Sequence, residues 1–480
     1  MKLQTLLKDY PHQSRGSNLD IEVNGISHDS RYVRPGDIYV CLKGLRTDGH
    51  RFAPQAADKG AVAVIAEEPL DLAVPVVRVS DARHALSFLS DKYFARPSKK
   101  MNIIGVTGTN GKTTTTHFLQ AAYRAAGKPC AIIGTVGIKV DQDYDQARLT
   151  TPEAFDLHRT LYEMKNRHVT NVAMEVSSHS LVWKRVEHVA FSMGVFTNLS
   201  HDHLDFHNTM EDYFLAKAHL FSLLEKEKDG PRAIINADDT YGRRLLNMVD
   251  VPALSFGLGE DADVRGVIIS EGTSTVLSVH YGGREFEILL RLPGRFNVYN
   301  VLAGAAAALA DGVDMHAISE GIGNLLTVPG RMETVNFQQA YNIIIDFAHT
   351  PDGLEKVLQT LGNVPHSRLI TVFGCPGDRD RSKRPLMGRI AETYSDVVVV
   401  TSDNPASEDP EKIIAEILTG METKPFVLPD REEAVRYALS IAGKGDIVLL
   451  AGKGHETYQL VGDKQVPYSD KQAVETFFIS

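Results

Sequence analysis

The 480-residue chain is poor in cysteine: Cys41, Cys130 and Cys375 stand far apart and no C-x-x-C pair occurs. That excludes a disulfide framework and a Cys-rich zinc site, and it suits a reducing compartment. An excess of positive charge is also lacking. With 51 Lys and Arg against 61 Asp and Glu, the formal net charge is −10. A whole-surface nucleic-acid or anionic-membrane binder is thereby excluded, whereas a local basic pocket for a phosphorylated ligand is not. No run of 18 apolar residues occurs, and the segment from Met1 to Tyr10 holds no long apolar stretch. Neither a membrane span nor a secretory leader is expected, and the chain reads as cytoplasmic. Repeats of 20–50 residues and low-complexity tracts are missing, which removes solenoids and disordered arrays.

What remains is a soluble globular composition, 43% hydrophobic and 23% charged, with a mean hydropathy of −0.15. At roughly 150 residues per domain, the length predicts about three domains. In the first hundred residues Pro35-Gly36 marks a turn. Strands are expected at 38–42 and 61–66, with a loop at 43–50. Around Pro97-Ser98-Lys99-Lys100 the chain turns polar and a new unit begins. From Ile103 the pattern becomes strand, glycine-rich loop and helix, the helix running from Thr113 to Ala126 and closing at Gly127. Further strands are predicted at 171–174 and 193–196, and an Ala-rich helix at 302–309. Beyond Val328-Pro329-Gly330 the alternation restarts, with aliphatic runs at 343–346, 369–374, 397–400 and 447–451. Such runs suit the inner strands of a parallel sheet. The expectation is an α/β fold of three domains, 1–98, 99–329 and 330–480. The middle one would be a P-loop ATPase-type parallel sheet and the last Rossmann-like.

The strongest chemical signal is Gly105-Val106-Thr107-Gly108-Thr109-Asn110-Gly111-Lys112-Thr113, between a predicted strand and a helix. Glycines let backbone amides approach phosphate oxygens, and a helix N-terminus adds positive potential. Lys112 would reach the β- and γ-phosphates, and the Thr113 hydroxyl would meet Mg²⁺. Val106 stands where the strict G-x-x-x-x-G-K-[ST] template wants its first glycine. Glu175 follows a strand and His203 the next, so both are expected at the carboxyl edge of the sheet, where ligands collect. His201, His203 and His207 could also be a zinc cluster or a polar loop. A phosphate loop favours a hard ion over zinc.

The G-T-N-G-K-T-T loop resembles that of the Mur ligase family, and the resemblance covers nearly the whole chain. It is carried in order by 149–153 (L-T-T-P-E), 175–179 (E-V-S-S-H), 197–205 (T-N-L-S-H-D-H-L-D), 212–217 (D-Y-F-L-A-K), 292–300 (L-P-G-R-F-N-V-Y-N) and 329–333 (P-G-R-M-E). It implies an ATP-dependent amide ligase that adds the third amino acid to UDP-N-acetylmuramoyl-L-alanyl-D-glutamate, in peptidoglycan precursor synthesis, through an acyl phosphate. ATP would be held by Gly108, Thr109, Asn110, Gly111, Lys112, Thr113 and Thr114, with Asn300, Arg331 and Asp346 at its base and ribose. Two Mg²⁺ would sit on Thr113, Glu175, His203 and a carbamylated Lys217. Lys112, Glu175, His203, Lys217 and Arg331 would carry the catalysis.

The same resemblance assigns Ser30, Thr150, Thr151, Ser177 and Arg185 to the UDP-sugar substrate, and leaves the single tryptophan, Trp183, without a role. Arg379 would hold the carboxylate of the incoming amino acid, beside Asp403, Asn404, Pro405, Ala406, Gly452 and Glu456. Ala406 falls where relatives that add meso-diaminopimelate carry an arginine for the distal carboxylate. Burying that carboxylate unpaired costs roughly a few kcal/mol, so L-lysine is the expected acceptor. Gly452-Lys453-Gly454-His455-Glu456 points instead to meso-diaminopimelate, the alternative. More distant alternatives are another ligase of the superfamily, such as a folate polyglutamate or cyanophycin synthetase, and a silent nucleotide-binding regulator. The partners expected are thus the UDP-N-acetylmuramoyl-dipeptide and a free amino acid, acting on a monomer.

Overall fold

Aliphatic runs become strands wherever helices can cover both faces, and the chain follows that rule in most places. The computed structural model describes residues 1–14, 18–44, 47–140, 143–145, 149–225, 230, 232–272 and 274–479. Residues 45 and 46 of the loop expected at 43–50 lie outside the described residues. The chain divides into two compact units. Met1–Gly105, Pro129–Met193 and His219–Lys228 form the first; Val106–Lys128, Gly194–Ala218 and Asp229–Ser480 form the second. Among the described residues no helix is long and apolar enough to cross a membrane.

In the first unit, strands Gly25–Ser27, Asp37–Val40, Ala63–Ala66 and Val76–Arg78 make a four-stranded parallel sheet. Helix Ala82–Tyr93 buries Leu86 and Leu89 against Ile26, Ile38 and Ile65. Its N-terminus is capped by Asp81, whose carboxylate accepts from the His84 amide. Strands Cys130–Ile133 and Asn171–Glu175 run parallel. The short pieces Ile138–Val140 and Asp143–Asp145 add antiparallel to them.

In the second unit, Met193–Phe196, Ala233–Asn236, Ala253–Gly257 and Val264–Ser270 pair in parallel. The expected parallel pattern then breaks. Thr275–Tyr281 and Arg284–Leu290 continue antiparallel, because Gly282 and Gly283 take φ of +59° and +74°. Two consecutive positive φ values make the tight hairpin turn that reverses a strand at once. The helix expected at 302–309 starts much earlier, as Arg295–Ala310. Its Gly304 lies so near helix Lys112–Ala125 that a Cβ there would sit 3.0 Å from Phe118, so small residues set the packing distance.

Beyond residue 330 a six-stranded sheet has the order Glu333–Val335, Asn342–Asp346, Ile447–Ala451, Leu369–Phe373, Val397–Val400, Phe426–Val427. Its first strand is antiparallel and the others are parallel. The four aliphatic runs are the four inner strands, with apolar cores on both faces. Helix Arg431–Ile441 is tied to the C-terminal helix by a fully buried ion pair. Arg431 donates from Nε and Nη2 to the Asp470 carboxylate, each at 2.8 Å, and from Nη2 to the Ala451 carbonyl at 2.9 Å. Removing one partner of such a pair strands the other charge. Arg431→Met should therefore cost about 3–5 kcal/mol, read by urea unfolding.

A second buried acid behaves differently. Asp91 lies on helix Ala82–Tyr93, 3.6 Å from Nδ1 of the fully buried His158. Burial, partly offset by Arg96 and Lys99, pushes the Asp91 carboxyl up to about 6. Burial likewise drives His158 down to about 3, leaving it neutral. Since the folded value exceeds the unfolded one, the native state binds the proton more tightly, and this group's contribution to stability falls as pH rises through 6. Asp91→Asn should raise the melting temperature at pH 8, with the gain fading below pH 6.

Candidate active site

The phosphate loop leaves strand Asn102–Thr107 and ends at helix Lys112–Ala125. Gly108 and Gly111 adopt φ of +148° and +87°. A Cβ on Gly108 would lie 2.0 Å from Thr197 Oγ1, and one on Gly111 2.2 Å from Asn300 Oδ1. Both must be glycine. The loop is also strapped from outside: the Thr109 amide donates to the Asn198 carbonyl and the Asn110 amide to Asn198 Oδ1. Asn110 Nδ2 donates to Asp352 at 2.7 Å. Lys112 folds back so that Nζ donates to the carbonyls of Gly108 and Thr109, each at 2.9 Å. Thr113 and Thr114 are buried in the first helical turn.

Lys217, on helix Met210–Ser222, is buried and reaches the same loop. Its Nζ donates to the Gly108 carbonyl at 2.8 Å, lying 4.6 Å from the Tyr213 ring centre. Burial, reinforced by the nearby Lys112 cation, depresses its ammonium well below the usual lysine range. A surface lysine would show neither feature. A shift in that direction favours the neutral amine, whose lone pair is nucleophilic. The three histidines do not converge on one point: His201 Nε2 faces Asp380 at 3.7 Å and His203 Nε2 faces Asp202 at 3.3 Å, while His207 packs on Tyr213. Among the described residues no three His, Cys, Asp or Glu side chains form a metal-holding group.

Arg331 arrives from the second unit's C-terminal part, and its Nη2 donates to Thr113 Oγ1 at 3.0 Å. Its guanidinium covers the Phe347 ring, so a cation is fixed at the phosphate loop. Asp346, expected near the ribose, is occupied by backbone: its oxygens accept from the amides of Met332 and Ala348, each at 2.7 Å. Burial raises its carboxyl pKa, with Arg331 opposing. Asp346 therefore braces the Arg331-Met332 turn, where Met332 has φ +48°. Asn300 is buried in helix Arg295–Ala310, bonded to Asn297 and abutting Gly111.

In the first unit, Glu175 ends its strand and accepts from the Thr135 amide and hydroxyl at 2.9 and 3.0 Å. Thr150 bonds Thr135, and Thr151 bonds both Ser177 and the Glu175 carbonyl. Arg185 pairs with Glu153 and donates to the Thr151 carbonyl. These expected residues thus form one cluster. Trp183 stacks between the guanidiniums of Arg83 and Arg185, 4.7 and 5.0 Å from its centre. Ser30, in the N-terminal sheet, donates to Gln55.

The expected acceptor residues gather in the second unit. Asn404 Nδ2 donates to Glu456, and the buried Lys453 ammonium donates to Asn404 Oδ1, Glu456 and the Tyr458 carbonyl. A Cβ on Gly452 would meet Asp403 at 2.8 Å, and burial raises the Asp403 carboxyl pKa. Arg379 is exposed, with Nη1 on the Asp378 carbonyl. Pro405 is buried, its carbonyl so close to Gly377 that no Cβ fits there. Ala406 has φ +51° and bridges Val461 in the hairpin Tyr458–Val461, Lys464–Pro467. That hairpin is open to water, Val461 being 47% and Val466 44% exposed. Asp352 and Lys383 escaped the sequence analysis because Asn110, Ser200 and His349, the groups they bond, are distant in sequence.

A strapped phosphate loop with an arginine brought to its threonine, on an α/β fold, suits an ATP-dependent ligase. The comparisons with known proteins agree. Residues 22–93 match the family description "Mur ligase family, catalytic domain", 106–308 "Mur ligase middle domain" and 330–454 "Mur ligase, glutamate ligase domain". The chain belongs to the Mur ligase family. It is 44% identical over 479 residues to the UDP-N-acetylmuramoyl-L-alanyl-D-glutamate–2,6-diaminopimelate ligase of Syntrophomonas wolfei, covering 98% of each chain. It is 45% identical over 482 residues to that of Geobacillus thermodenitrificans, again 98% of each. A solved structure of a ligase with the same title has a TM-score of 0.70 at 32% identity, over 100% of this chain and 99% of that one. MurF from Acinetobacter baumannii shares the fold, with a TM-score of 0.71 at 20% identity over 100% and 99%. These relatives favour the diaminopimelate alternative over lysine. Lys112→Ala should abolish ADP release while the loop, held by Asn198 and Asp352, keeps its shape. Near-normal turnover in a coupled ADP assay would remove Lys112 from the phosphate site.

Proposed function

We propose that the protein joins 2,6-diaminopimelate to the D-glutamyl carboxylate of UDP-N-acetylmuramoyl-L-alanyl-D-glutamate. The observation that carries this is near-full-length identity of 44–45% to enzymes named for that reaction. The Gly452–Glu456 arrangement supports it. The carboxylate attacks the γ-phosphorus of ATP, giving an acyl phosphate and ADP; the acceptor amine then displaces phosphate. Lys112 and Arg331 offset charge on the phosphoryl oxygens, and Arg379 anchors the acceptor carboxylate as a planar fork. Ser30, Thr150, Thr151, Ser177 and Arg185 are assigned to the UDP-sugar dipeptide. Asn300 and Asp346 are assigned to the nucleotide, the latter through the turn it braces.

Thr113, Glu175, His203 and Lys217 are the residues we assign to Mg²⁺, which would supply Lewis-acid neutralisation of phosphoryl charge. An amine cannot serve a hard cation, but the neutral, buried Lys217 can attack CO₂. The N–C bond forms, a proton passes to solvent, and a carboxylate-like carbamate results. The domain boundaries we adopt fall at 98/99 and 329/330, consistent with the three family spans. A cytoplasmic monomer completes the proposal, and three buried free thiols suit a reducing compartment.

The deciding assay is ADP release with the UDP-muramoyl-dipeptide and diaminopimelate, lysine or ornithine side by side. Diaminopimelate should be preferred, and activity should fall when bicarbonate is stripped and return when it is restored. Ala406→Arg should sharpen the preference by about tenfold to a hundredfold, a charge-assisted pair of roughly 1.5–3 kcal/mol. Turnover with lysine alone would overturn the acceptor assignment.

A further inference from the structure

Helix Lys383–Tyr394 begins with a buried cation that none of these assignments uses. Lys383 is only 4% exposed, and its Nζ donates to the His349 carbonyl at 3.0 Å. It lines a small cleft with Asp202, His203, Asp205, His349, Arg379 and Asp380. Burying an ammonium is costly unless something offsets its charge. Asp202, Asp205 and Asp380 are the carboxylates that share the cleft with this ammonium.

Its position says which anion it meets. One wall, Asp202, His203 and Asp205, follows directly on the segment that straps the phosphate loop, where Asn198 accepts from the Asn110 amide and Ser200 bonds Thr109. Three residues beyond His349, Asp352 accepts from both Asn110 and Ser200. The other wall carries Arg379, the proposed carboxylate anchor of the acceptor. Lys453, by contrast, is the cation committed to Asn404 and Glu456. Lys383 thus stands where the phosphate side and the acceptor side meet.

We propose that Lys383 is a further catalytic residue, whose ammonium holds the phosphoryl group of the acyl phosphate while the acceptor amine attacks. The inference rests on the ligase function proposed above. The amine nitrogen forms the C–N bond with the acyl carbon, and the C–O bond to phosphate breaks with its electron pair leaving on phosphate. The amine proton passes to that phosphate, which departs as hydrogen phosphate. Lys383 keeps its own proton throughout and stabilises the charge that builds on the leaving oxygen.

The test separates the two half-reactions. Without amino acid, hydroxylamine traps the acyl phosphate as a hydroxamate; with it, steady-state kinetics report the complete reaction. Lys383→Met should lower kcat by about a hundredfold or more, with the amino-acid and ATP KM values within about threefold and hydroxamate still formed. Lys383→Arg should restore a large part of kcat. A tenfold or greater rise in amino-acid KM at unchanged kcat would overturn the proposal and make Lys383 a carboxylate ligand. Unchanged kinetics would overturn it too. Loss of the ATP-induced thermal shift in both variants would make Lys383 structural. If wild-type enzyme forms no hydroxamate from the dipeptide, the ligase function itself fails, independently of Lys383.

Discussion

A loop that must wrap phosphate oxygens cannot satisfy its own backbone, and much of the second unit exists to hold that loop open. Gly108 and Gly111 supply the left-handed turns, with Thr197 and Asn300 occupying the space that side chains would need. Asn198 and Asp352 take up the polar groups of Thr109 and Asn110. The loop is thereby preorganised by fixed partners and pays little ordering entropy when a nucleotide arrives. Asp352 belongs to the C-terminal sheet's first helix, so the C-terminal part of the second unit is tied to the phosphate loop through this carboxylate, as it is through Arg331 on Thr113.

Charge is distributed on the same logic. Two lysines, Lys112 and Lys217, share one carbonyl oxygen, that of Gly108. Burial first, and repulsion from Lys112 second, depress the Lys217 ammonium below the usual lysine range. That combination distinguishes Lys217 from an ordinary helix lysine. Elsewhere buried charges are paired: Arg431 with Asp470, and Arg384 with Glu408 and Glu416. These pairs hold helices onto the sheet whose carboxyl end carries the acceptor residues. Buried ions of this kind add little net stability over apolar packing, but they impose one arrangement on the elements they join.

Much of the site was legible in the linear order of residues because its chemistry is local. The Gly108–Thr114 loop, the Glu175 strand end and the Arg379 and Asp403–Ala406 segments are contiguous patterns, each tied to a strand end that period and composition reveal. The inner strands at 343–346, 369–373, 397–400 and 447–451 were legible for the same reason, as uninterrupted aliphatic runs. The antiparallel Val264–Leu290 sheet was not. Its alternating strands carry a weaker signal, and the Gly282-Gly283 turn decides direction only once register is set.

Sequence alone determined the family and the glycine-rich loop between strand and helix, because these depend on side chains a few positions apart. Tertiary structure decided what depends on surroundings. It showed that Asp346 is spent on backbone amides, that Lys217 is buried against Lys112, and that Lys453 and Asp352 are the braces behind Glu456 and Asn110. It also showed that Ala406 takes a left-handed backbone conformation and bridges an exposed hairpin. The free energy of a charge is set by the dielectric and partners around it, and those are assembled from residues hundreds of positions apart.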